Sequence, residues 1–146
     1  MTKAQAIAFI YSLPLFVLIL GCGGSSMDIH DVDRETKPYE TVSADSMDAD
    51  ALLDHLDLLA NEMSLATQSE AYVEMHYIEI ALTQALVSLE SQSPTEAKPI
   101  IDTLKIIAAK IHGAGHDQNK TMSTKLDATL SEQIARLKSA IGSTAL

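Results

Sequence analysis

The hydrophobic positions of the chain fall into two regimes, an unbroken apolar run near the start and a set of spaced seams after residue 45. Leu52, Leu56, Leu59, Met63 and Ala66 recur at spacings of 4, 3, 4 and 3, which is one face of an amphipathic helix. Ser46 supplies an N-cap, and Asp45, Asp48 and Asp50 bring negative charge to the positive end of the helix dipole. Met75, Ile78, Leu82, Ala85 and Leu89 form a second seam, spaced 3, 4, 3 and 4. Between the two lies Thr67-Gln68-Ser69-Glu70, polar but without Gly or Pro. A continuous helix over 46–91 is possible, but the dominant stripe changes face at 67–70, which predicts a break there. Val73, Ile80 and Val87 then form a second stripe on the second helix, suited to a further neighbour or a second subunit.

Ser93, Pro94 and Glu96 have the spacing of a capping box with proline at the first helical position. The third helix follows through Ala97, Ile101, Leu104, Ala108 and Ile111, widened by Ile100 and Ile107, and Pro99 predicts a kink in its first turn. Gly113 and Gly115 predict its end, and Asp117 or Asn119 can start the next helix. That helix carries Met122, Leu126, Leu130, Ile134, Leu137 and Ile141, and Gly142 closes it. No strand-like alternation of useful length is present. Four helices of about 20 residues joined by short turns predict an all-α, up-down-up-down four-helix bundle.

The other regime is different in kind. Met1-Thr2-Lys3 is a short cationic start, and Ala4 to Leu20 holds no charged residue. The run is short for a membrane span, contains Pro14 and ends at Gly-Cys-Gly-Gly without a basic stop-transfer flank, so it reads as a signal peptide. Ile19-Leu20-Gly21-Cys22 resembles the lipobox of bacterial lipoproteins, with Leu20 a less typical residue at its place. The resemblance covers residues 1–22 only. It implies cleavage between Gly21 and Cys22, diacylglycerol (with palmitate-like chains) on the Cys22 thiol and acylation of the new amino terminus. More than one acyl chain is needed for stable anchoring, and a triacylated cysteine meets that need without a protein span. Gly23 stands where an Asp would direct inner-membrane retention in many Gram-negative bacteria, so for a Gram-negative source the family rule implies the outer membrane, facing the periplasm. Residues 1–21 are then signal peptide, 22–44 the lipidated cysteine with a flexible acidic linker, and 45–146 the bundle.

Composition narrows the partners. The whole chain carries a formal charge of −10, and loss of Lys3 with the signal peptide makes it more acidic. Nucleic acid, whose phosphates require clustered Lys and Arg, is excluded as a partner. Cys22 is the only cysteine, so no intrachain disulfide can form. Asp28, Asp31 and Asp33 lack the glycine and closing glutamate of an EF-hand loop. Asp48 with Asp50 and Asp54 with Asp57 read as solvated surface rather than acid–base pairs. No Gly-x-Ser-x-Gly, His-Glu-x-x-His, phosphate loop, Glu-x-x-His pair or Cys-x-x-Cys-His occurs.

One constellation remains. In a hairpin turning near residue 92, His76 comes within roughly one helical turn, about 5 Å, of level with His112. Glu79 is three residues from His76 on its face, and His112 and His116 bracket the Gly113–Gly115 turn. His76, Glu79, His112 and His116 can therefore form a divalent-metal site for zinc or copper. The plainer reading places His112 at a helix C-terminus favoured by the dipole and His116 in solvent. Two functions follow. The first is a lipid-anchored envelope protein whose non-catalytic bundle, without cofactor, meets a protein partner in the envelope. The alternative is a metal- or haem-binding bundle at the same address. Neither is an enzyme.

Overall fold

The computed structural model describes residues 33–144. The apolar run, Gly21 and Cys22 lie outside the described residues. Four helices pack on one another: α1 (Ala49–Gln68), α2 (Tyr72–Gln92), α3 (Lys98–His116) and α4 (Lys120–Thr144). Helix α1 packs against α2 and α4, and α3 packs against the same two. Short 3-10 turns occupy Pro38–Glu40, Ala44–Ser46 and Thr95–Ala97, and no strand is present among the described residues.

The spaced seams become the core. Leu52, Leu56, Leu59 and Met63 of α1, Met75, Ile78, Leu82 and Leu89 of α2, and Ile101, Leu104 and Ile111 of α3 are fully buried. Leu126, Leu130, Ile134 and Leu137 complete it from α4, whereas Met122 at the head of the same line is exposed and Ser123 is buried in its place. The expected break falls at Ser69–Ala71. Glu70 takes a left-handed conformation (φ 56°), and the Ala71 N–H donates to the Ala66 carbonyl at 2.8 Å. The α3–α4 join is built the same way, with Gln118 left-handed (φ 49°) and the Asn119 N–H donating to the Ala114 carbonyl at 2.9 Å. Both have the six-to-one bond of a Schellman ending. Lys120 Nζ bonds Glu70 Oε1 at 2.6 Å, joining the two turns at one end of the bundle.

Several local expectations are corrected. Asp48, not Ser46, caps α1, accepting from the Ala51 N–H at 2.8 Å. The Ser93 hydroxyl turns back to the Leu89 carbonyl at 2.7 Å, so it finishes α2 instead of capping α3, and no capping box forms. Pro99 lies at the start of α3, where its missing donor has no carbonyl to lose. Neither Gly113 nor Gly115 has a positive φ, and α3 continues through both to His116. Asn119 does start α4, its Oδ1 accepting from the Met122 N–H at 3.0 Å.

The acidic linker expected over 22–44 enters the described residues at Asp33, and there it is a packed arm. Tyr39 is 5% exposed and donates its hydroxyl proton to Glu74. Arg34 lies over the Tyr77 ring, 3.5 Å from its centroid, and pairs with Glu40 at 2.6 Å and Glu74 at 3.2 Å. Desolvation lowers the Arg34 pKa, but these two carboxylates more than offset it and the net shift is upward. Ile80 and Val87 remain partly exposed on the face of α2 that borders arm residues Glu40 and Ser43–Asp45. The arm thus runs beside the second stripe without burying it.

Candidate functional site

The histidines lie at the end of the bundle that holds the two left-handed turns. Helix α2 starts there and α3 finishes there. Helices α2 and α3 run close here: a Cβ at Gly115 would sit 3.5 Å from the Tyr72 carbonyl oxygen, an ordinary van der Waals contact. Because α3 does not stop at Gly113, His112 and His116 are four residues apart on one continuous helix and share a face. His76 and Glu79, three apart, present the matching face of α2.

The three imidazoles converge. One ring nitrogen from each of His76, His112 and His116 lies within 4.8 Å of the others. His76 Nδ1 and His112 Nδ1 face each other at 3.1 Å. Ring centroids are 4.7 Å apart for His76–His112 and for His112–His116, and 5.9 Å for His76–His116. His76 is buried, His112 half-buried and His116 exposed, so the cluster opens to solvent on the α3 side.

Glu79 adjoins the group through His112. Its Oε2 is 3.1 Å from His112 Nδ1, and its Oε1 accepts from the Thr83 hydroxyl at 3.0 Å. One carboxylate oxygen is fixed by the next turn of α2, which aims the other at the histidines. Of the four residues singled out by spacing, His76, His112 and His116 converge, and Glu79 reaches the group through His112 alone. Thr83 is the member that spacing did not assign. It was legible only as a hydroxyl one turn after Glu79 on the same polar strip.

The remaining titratable groups play other parts. Asp48, Asp50 and Asp54 are exposed, and Asp57 pairs with Lys138 across α1 and α4. His55 is buried beneath the arm, at a cavity of about 330 Å³ that it lines with Lys37, Pro38, Tyr39, Val42, Leu58 and Glu62. Burial pushes its pKa down, toward the neutral ring. On α4, burial raises the pKa of Asp127 and a hydrogen bond from Ser64 partly opposes it. Neither His55 nor Asp127 was flagged by spacing, since each neighbours an apolar seam without a partner in sequence.

No protein-family model, curated protein or solved structure matches the chain. The functional reading therefore stands on the residues themselves.

Proposed function

We propose that this protein is a lipid-anchored module of the cell envelope whose bundle holds one divalent transition-metal ion and catalyses no reaction. The observation that carries the metal reading is the convergence of three imidazole nitrogens within 4.8 Å. Imidazole is the common ligand of zinc and copper, and bundle sites of this kind use donors from facing helices. Direct packing of the three rings on one another favours a bare ion over a haem. The sequence of contacts, each helix against its chain neighbours and α1 against α4, supports an up-down-up-down ring.

The anchor rests on the lipobox-like Ile19-Leu20-Gly21-Cys22. No helix among the described residues is long and apolar enough to cross a membrane. Intact-mass measurement on protein from bacterial membranes is expected to show an acylated chain starting at Cys22. A chain that still begins at Met1 with a free thiol would remove the proposed address.

The metal reading is tested on the full-length chain in detergent, stripped with chelator and then incubated with zinc or copper. The expected result is one metal per chain, lost in the His76→Ala, His112→Ala double variant. Absence of stoichiometric metal in the wild type would end it. The second reading, docking of an envelope protein, is favoured by Leu58 (46% exposed) and Leu65 (60% exposed), seven residues apart on the outer face of α1.

A further inference from the structure

Three histidines leave a four-coordinate ion with one position to fill, and the occupant decides what kind of site results. Water in that position makes a hydrolytic centre, whereas a protein donor makes a closed holding site. The question rests on the reading of the imidazoles as ligands.

The position of Glu79 answers it. A carboxylate that only orients a ligating imidazole bonds to the ring nitrogen turned away from the metal. Glu79 Oε2 instead lies 3.1 Å from His112 Nδ1, the nitrogen that faces His76 Nδ1 at 3.1 Å. Its oxygen therefore lies beside the His112 nitrogen that faces His76, although Glu79 is outside the set of three residues whose donor atoms lie within 4.8 Å of one another. Zinc bonds of roughly 2.0–2.2 Å to nitrogen and oxygen place neighbouring donors of a tetrahedron roughly 3.3–3.6 Å apart, a few tenths of an ångström wider than both separations. The carboxylate is also held ready, since the Thr83 hydroxyl fixes Oε1 and the Glu79 side chain is only 13% exposed. An anionic donor offsets one charge of a dication held beside a buried imidazole, which three neutral rings would leave whole.

We infer that Glu79 is the fourth ligand of a closed, four-coordinate zinc site formed with His76, His112 and His116. His76 and Glu79 grip the ion from α2, and His112 and His116 grip it from α3. His116, the exposed member, completes the tetrahedron by a side-chain rotation. The donor set of three nitrogens and one oxygen suits a borderline ion such as zinc and not the hard cations magnesium and calcium, which require oxygen. With every position filled by protein, no bound water is left to activate. The site stores or hands on an ion, or braces the bundle.

The test uses cobalt(II) as a spectroscopic probe on the full-length, metal-stripped chain. Wild type is expected to bind one equivalent with the intense visible bands of four-coordinate cobalt, displaced by one equivalent of zinc. Glu79→Gln is expected to bind at least about tenfold more weakly, with fainter bands as water enters the coordination shell. Wild-type affinity and bands in Glu79→Gln, or weak five- or six-coordinate bands in the wild type itself, would overturn the closed site and leave three-histidine binding intact. No cobalt or zinc bound by wild type would overturn both. Should Glu79→Gln lose helicity by circular dichroism, the crystal structure of zinc-loaded wild type decides. Glu79 Oε2 within about 2.2 Å of the ion supports the assignment, and water in that place refutes it.

Discussion

His55 shows how one buried side chain sets a property of the whole protein. Burial lowers its pKa in the folded state from the ordinary value of 6.5. Above pH 6.5 both folded and unfolded chains carry a neutral ring, and the contribution to stability is complete. As pH falls through the unfolded value toward the folded one, the unfolded chain takes up a proton that the folded chain refuses, and stability declines. Asp127 acts in the opposite sense at lower pH. Its folded pKa is raised by burial, so stability is lost as pH rises from its ordinary value of 3.8 through the folded one. The expected outcome is a urea midpoint lower at pH 5 than at pH 7.5, with a smaller gap in His55→Gln. An equal gap in the two proteins would mean that other groups carry the acid sensitivity. None of this could be read from spacing, because burial of a lone histidine depends on the arm that covers it.

At the scale of elements, the helical seams follow the sequence closely while the ends do not. Apolar spacing is enforced by the core, and Leu52, Leu82 and Leu104 each had one face on which they could lie. Ends are settled by competition among nearby polar groups of similar worth. Ser93 lies within reach of the Leu89 carbonyl behind it as well as the turn ahead, and the structure uses it for the first. The glycines of α3 are the plainest instance. Gly113 is helical and exposed, and a Cβ there would meet nothing within 4 Å. Gly113→Ala is therefore expected to raise stability by about 0.5–1 kcal/mol, through the restricted unfolded chain and the better helix former. Denaturant unfolding measures it. A helix that ended at this residue would instead lose stability on the change, because alanine is disfavoured at a left-handed C-cap. The true stop is at Gln118, a residue that carries no terminating signal of its own. Continuity of α3 also decides the geometry of the cluster: across a turn His112 and His116 would point independently, whereas on one helix they share a face.

At the scale of the molecule, an ion at the proposed site would join the start of α2 to the end of α3. This is the end where the two left-handed turns meet through Lys120 and Glu70. Anything that binds the folded chain alone stabilises it, by about 2.7 kcal/mol at a hundredfold excess over Kd. Zinc is accordingly expected to raise the melting temperature of wild type by several degrees and to leave the double histidine variant unmoved. The arm of residues 33–47 belongs to this scale too. Its polar, acidic composition resembles a solvated linker, yet Tyr39, Arg34 and Glu74 fasten it to α2 through burial, an ion pair and a ring contact. The sequence alone determined the helical class, the four seams, the break near residue 70 and which four side chains deserved notice, because those depend on periodicity and local chemistry. Only the tertiary structure decided that α3 runs unbroken past its glycines, that the arm is packed, and that Glu79 meets His112 across the helix pair. Those outcomes depend on how separate segments compete for the same space, and a distance along the chain carries no record of that competition.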